Sequence, residues 1–122
     1  MKGSFHLSIG VRSVEESEAF FVDVMRGAVV HRDRSGYVNI DFYGCQITLT
    51  PAPEIAPDLH GFHFGVNLGM AEFDELAEAI LRSGYRGVVM PPKVVDAHTP
   101  LERKKMYLRC PSGYLIELKG YR

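Results

Sequence analysis

Two histidines and one glutamate are the residues best placed to do chemistry in this chain of 122 residues. His6 lies in Phe5-His6-Leu7-Ser8-Ile9-Gly10-Val11 and His63 in Phe62-His63-Phe64-Gly65-Val66-Asn67-Leu68. In both segments apolar residues alternate with histidine and small or polar residues, the period-2 pattern of a strand with one buried face. Two imidazole nitrogens and the carboxylate of Glu117, turned into one groove, compose a facial divalent-metal site with positions left open for substrate and water. A single histidine or glutamate on a strand is ordinarily just solvated, and duplication alone could place two histidines at equivalent positions. Glu117 argues otherwise, because a carboxylate between Ile116 and Leu118 in a partly enclosed groove is costly unless a cation pairs with it. His6, His63 and Glu117 are therefore the expected ligands of one divalent ion, with Fe, Mn, Zn, Ni and Co all compatible.

The elements that must position these side chains follow from an internal repeat. The two histidine strands, 5–11 and 62–68, are 57 residues apart, and each is followed by a helix. Ser13 and Glu16 have the spacing of a capping box, after which Val14, Phe21, Val24 and Met25 recur at helical spacing up to Gly27. Phe73, Leu76, Ala77, Ile80 and Leu81 do the same up to Gly84. Three short strands then follow in each half: 28–32, 37–42 and 45–50, then 86–90, 105–110 and 114–119. The second half carries an insertion, expected as a long loop over 91–104. The fold class is thus α+β: two tandem βαβββ modules, 1–50 and 60–122, joined by a linker over 51–59 into a single domain. One helix covers one sheet face, so the helices should lie outside a cleft-shaped mixed sheet. Phe5, Leu7, Ile9, Val11, Phe62, Phe64, Val66 and Leu68 are expected on the helix side; His6, Ser8, Gln46, Thr48, Thr50, His63, Asn67, Glu117 and Lys119 are expected on the other.

Composition excludes several partners. Fourteen Lys and Arg against fifteen Asp and Glu give a net charge of −1, so no basic excess exists to attract nucleic acid or an anionic membrane. No apolar run is long enough to span a bilayer and no signal peptide is apparent, so a soluble cytoplasmic protein is the expectation. Cys45 and Cys110 are too few for a disulfide framework, and Cys45, on the apolar side with Ile47 and Leu49, is expected to be a packing residue.

The layout FHLSIGV, FHFGVNL, PSGYLIEL resembles the vicinal oxygen chelate superfamily, which includes glyoxalase I, fosfomycin-resistance thiol transferases, extradiol dioxygenases, methylmalonyl-CoA epimerase and metal-free bleomycin-binding proteins. The resemblance covers essentially the whole chain. It implies paired βαβββ modules, a metal on His6, His63 and Glu117, and a small substrate that chelates it through neighbouring oxygens. The first-module counterpart of Glu117 is Thr48, where glyoxalase I enzymes generally have a carboxylate in this region; a hydroxyl here argues against that activity and makes Thr48 either a substrate-facing group or an ordinary strand residue. Tyr107, ten residues before Glu117, has the spacing of a tyrosine that helps hold phosphonate in the fosfomycin enzymes.

Tyr107 and Arg109 face the cleft if the strand keeps the family register. The turn is Cys110-Pro111-Ser112-Gly113 where relatives carry D-P-x-G, and a two-residue loop would instead turn Met106 and Leu108 inward. His98, in the insertion, is a candidate general acid or base. Gln46 and Asn67 are expected substrate contacts, and His31 and His60 are expected at the surface. The function expected is a metal-dependent enzyme, an extradiol-type dioxygenase or thiol transferase ahead of an epimerase or glyoxalase I; the cleft strands show no clear anion-binding cluster, which holds back the transferase. The alternative is a metal-free drug-sequestering protein. A homodimer is expected, since the sheet edges stay open in a single chain.

Overall fold

The computed structural model describes residues 3–54 and 62–122, and His60 lies outside them. The chain falls into two compact units, Met1–Pro57 and Asp58–Arg122. Each is a βαβββ module built on a four-stranded mixed sheet.

In the first unit the order is β1 (His6–Val11), α1 (Val14–Ala19), a π-helical turn (Phe20–Val24), β2 (Ala28–Arg32), β3 (Val38–Phe42) and β4 (Cys45–Pro51). The strands lie side by side as β1-β4-β3-β2, with β1 parallel to β4 and the others antiparallel. Ser13 caps α1, its Oγ accepting from the Glu16 amide at 3.1 Å. The regular helix expected up to Gly27 is not kept. The Met25 amide donates to the Phe20 carbonyl, five residues back, and this wider turn lets Phe20, Phe21 and Met25 all reach the core. Phe20 was missed by strict helical spacing for that reason. Alternate strand residues Ile9 and Val11, Ile40, and Ile47 and Leu49 complete the core under α1.

In the second unit the order is β5 (His63–Gly69), α2 (Met70–Ser83), β6 (Val88–Val95), β7 (Arg103–Arg109) and β8 (Leu115–Tyr121), arranged as β5-β8-β7-β6 with β5 parallel to β8. Phe73, Leu76, Ala77 and Ile80 bury one face of α2 against this sheet, and Gly84 ends it in the left-handed conformation at φ 72°. Leu81, expected on that face, is exposed, because at about 100° per residue it falls outside the arc that Phe73, Leu76, Ala77 and Ile80 span.

The structure corrects two further expectations. Phe5 and Phe62 precede their strands and are exposed rather than packed under the helices. Half of the insertion is sheet: β6 runs through Pro91 and Pro92 to Val95 and β7 begins at Arg103, leaving 96–102 as loop. Two prolines fit because β6 is an edge strand, where a missing N–H on the outer side breaks no ladder bond, and its pairing with β7 is irregular on both sides of Met90.

Candidate functional site

The register of β5, β8 and β7 assembles the site of the second unit. Gly65 stands opposite Glu117 and Glu117 opposite Tyr107, so these three share a face with the neighbouring His63, Asn67, Lys119, Lys105 and Arg109. Met106, Leu108, Ile116 and Leu118 point the other way into the core. A tight turn sets this register: the Gly113 amide donates to the Cys110 carbonyl, the Cys110 amide to the Tyr114 carbonyl, and Gly113 takes φ 96°. Three loop residues ending on a left-handed glycine keep Tyr107 and Arg109 on the Glu117 side.

Glu117 is buried to 5% exposure on this otherwise wet face. Lys119, two positions on along the same strand, brings its Nζ to 3.3 Å from Oε1, and His63 Nε2 lies 3.8 Å from the same oxygen. The buried carboxylate thus has a cation from its own strand, on the side where side-chain alternation places Lys119. The His63 ring meets Tyr107 edge-on at 5.9 Å. A hydrogen bond with the Glu117 carboxylate, then burial and the carboxylate's charge, hold the Tyr107 phenol above its ordinary pKa of 10.0. At neutral pH the phenol is therefore a proton donor. In the metal-free protein the folded state holds this proton more tightly than the unfolded chain, so the associated stability is full below pH 10.0 and is lost as pH rises through the higher folded-state value. The tyrosinate absorbance that Tyr107→Phe removes should accordingly titrate late, and should move to lower pH in Glu117→Gln; no change in Glu117→Gln would separate the two side chains.

The same ladder position in the first unit holds Ser8, Thr48 and Asn39. Thr48 donates its hydroxyl to the Asn39 side-chain oxygen at 2.7 Å, and Ser8 and Thr50 hydroxyls stand 3.4 Å apart. His6 and Gln46 are exposed at the next position of this polar face. Thr48–Asn39 is therefore the counterpart of Glu117–Tyr107, with a neutral pair in place of a charged one. Thr48→Val should cost about 1 kcal/mol of stability, measured by denaturant unfolding, because the part-buried Asn39 amide loses its partner; an unchanged midpoint would make the bond inconsequential.

The donor set suits a divalent transition ion in its chemistry. Two ligands each about 2.1 Å from an ion lie about 3.0 Å apart when cis on an octahedral ion and about 3.4 Å apart on a tetrahedral one, so His63 Nε2 and Glu117 Oε1, at 3.8 Å, would share one ion after closing by several tenths of an ångström with the Lys119 ammonium moved aside. Among the described residues, no group of three or more His, Cys, Asp or Glu side chains forms a metal cluster, so the second unit by itself supplies two donors and not three.

Arg109 turns its guanidinium back to the Gly113 carbonyl at 2.8 Å, bracing the hairpin. Asn67 is exposed beside Lys119. His98 sits in the 96–102 loop at φ 63°, its amide donating to Glu102. His31 is exposed near Asp33, as expected of a surface residue, whereas Cys45 is only half-buried. A cavity of about 310 Å³ lined by Leu101, Arg103, Tyr121 and Arg122 lies past the other end of β7 and β8, four residues along each strand from Tyr107 and Glu117.

With this geometry in hand, solved structures give a consistent comparison. A glyoxalase/bleomycin resistance protein/dioxygenase from Alicyclobacillus acidocaldarius superposes with a TM-score of 0.81 over 98% of this chain and 91% of its own, at 23% identity. A genomically encoded fosfomycin resistance protein from Listeria monocytogenes gives 0.79 over 100% and 95% at 16% identity. One from Mesorhizobium loti gives 0.73 over 100% and 94% at 20% identity. No protein-family model matches the chain, and no curated protein matches it by sequence. The chain has the fold of the vicinal oxygen chelate superfamily. No helix among the described residues is long and apolar enough to cross a membrane.

Proposed function

We propose that the chain is a divalent-metal-dependent enzyme of the vicinal oxygen chelate type, acting on a small molecule with two neighbouring oxygens. The observation that carries this reading is a carboxylate at 5% exposure with an imidazole nitrogen 3.8 Å from its oxygen, on the polar side of an otherwise apolar strand pair. His63 and Glu117 would hold the ion together with His6 of the first unit, whose place in the repeat matches that of His63. A metal there supplies Lewis-acid polarisation of the two substrate oxygens.

The chain's own residues supply the rest. Tyr107, kept protonated by Glu117, offers a hydrogen bond or a proton to a substrate oxygen. Thr48 and Asn39 offer neutral partners, and three protein ligands leave room for bidentate substrate on a six-coordinate ion. Dioxygenase and thiol-transferase chemistry are the reactions this leaves best supported, with a homodimer as the working assembly.

The test is metal titration of chelator-treated protein, then a screen of vicinal diols, catechols and oxo acids for metal-dependent turnover. One equivalent of bound ion and turnover that follows it are expected; no stoichiometric binding of any of the five ions would sink the reading. One observation favours a second reading, metal-free binding of a small molecule: Lys119 already neutralises Glu117 at 3.3 Å. Ligand binding that persists in chelator with no metal-dependent turnover would decide for it.

A further inference from the structure

The same sheet carries a feature that the proposed metal site does not use. Lys93 on β6 is directly opposite Lys105 on β7, which is directly opposite Lys119 on β8. Residues so paired share a face with Cα atoms about 5 Å apart, and like charges in this position repel. Three in a row is an arrangement that a sheet keeps only at a cost. One carboxylate, Glu117, offsets one of them. Lys105 lies over the Tyr107 ring at 5.7 Å, and neither Lys93 nor Lys105 is ion-paired with any carboxylate of the described residues. Lys104, by contrast, points to the other face and is bound to Asp74 at 2.6 Å. The row continues onto Asn67 of β5, opposite Lys119, which adds an amide donor at its end.

We infer that Lys93, Lys105 and Lys119 form a binding site for an oxyanion, so that the ligand of this protein is a small molecule bearing a phosphate, phosphonate or carboxylate group seated across the lysines beside Glu117. An anion between ammonium groups converts cross-strand repulsion into attraction, and the partly buried stems of Lys105 and Lys119 strengthen it by limiting solvent access. Sequence alone did not reveal the row. The three lysines are 12 and 14 positions apart, and only the register of a strand expected to be loop brings Lys93 alongside. As a statement of substrate class the inference rests on the enzyme reading above; as a binding site it does not need the metal.

The experiment titrates chelator-treated protein with inorganic phosphate and, separately, with malonate, at constant ionic strength, by calorimetry and thermal unfolding. Binding of one equivalent is expected for at least one of the two probes, and the one that binds identifies the anion type. Lys93→Gln/Lys105→Gln should weaken it by about tenfold or more, while Lys105→Arg stays near wild type. Without any anion the double variant should unfold at the same or a higher temperature, because repulsion is relieved. Lys104→Gln should not alter binding. The inference is overturned if neither probe binds, if the double variant binds as tightly as wild type, or if Lys104→Gln weakens binding equally. Titration of the same samples with each of the five divalent ions keeps the two readings apart: lysine-dependent anion binding with no binding of any of the five ions defeats the metal-enzyme reading alone, and metal binding with lysine-independent anion binding defeats this inference alone.

Discussion

Glu117→Gln is expected to abolish stoichiometric divalent-metal binding, lowering affinity by at least about 100-fold, since loss even of groups that merely orient ligands costs 10- to 100-fold. The substitution keeps shape and volume while removing the anionic oxygen. It therefore tests charge and coordination and not packing, and Ile116 and Leu118 on the opposite face continue to hold the strand. His6→Ala and His63→Ala should act in the same direction. Metal content follows directly from elemental analysis of dialysed protein, and an unchanged ratio in any one variant would remove that residue from the ligand set. The variant has a second consequence. With Glu117 neutral, Lys119 loses the carboxylate at 3.3 Å and the lysine row has no acid beside it, so phosphate should bind more tightly to Glu117→Gln than to wild type. Opposite movements of metal and anion affinity in one variant would not follow from partial unfolding, which weakens both.

The largest effect on stability is expected at Gly65. A Cβ built there would lie 1.7 Å from the Glu117 carbonyl oxygen, 2.6 Å from its carbonyl carbon and 2.8 Å from its nitrogen. All three are backbone atoms, so no rotamer change relieves the clash and β5 must part from β8. Gly65→Ala should cost about 3 kcal/mol or more in denaturant unfolding, the upper end for an overpacked site, and should weaken metal binding by displacing Glu117 from His63. Gly44→Ala is the comparison: at φ 83° with nothing within 4 Å of the added carbon, it meets only backbone strain, which costs about 1–2 kcal/mol. Equal losses in the two variants would mean that the β5–β8 approach is not close.

Glycine 65 also marks where reading by repeat stops. Its counterpart in the first half is Ser8, so the sequence offers no reason why the position should refuse a side chain. The difference lies in how closely one strand passes its parallel neighbour, a distance that no residue pattern encodes. Phe20 belongs to the same kind: its burial depends on one amide bond reaching five residues back, and a π turn has no sequence period of its own to be read.

What the sequence determined by itself was everything governed by alternation and repetition. The two βαβββ modules, the apolar side of the first and last strand of each, the Ser13 and Gly84 helix boundaries, and the polar faces that carry Thr48 in the first unit and Glu117 and Lys119 in the second all follow from periods of 2 and 3.6 and from which residues can cap a helix. The tertiary structure decided what depends on one strand's position against another. The three-residue turn at Pro111-Ser112-Gly113 fixed Tyr107 beside Glu117, and the edge position of β6 turned a proline-containing insertion into a strand. The register of that strand then set Lys93 opposite Lys105. Register is a property of pairs of distant segments, held by turn geometry and by backbone bonds that every residue type can make, so it left no mark in the order of amino acids by which the lysine row could have been found.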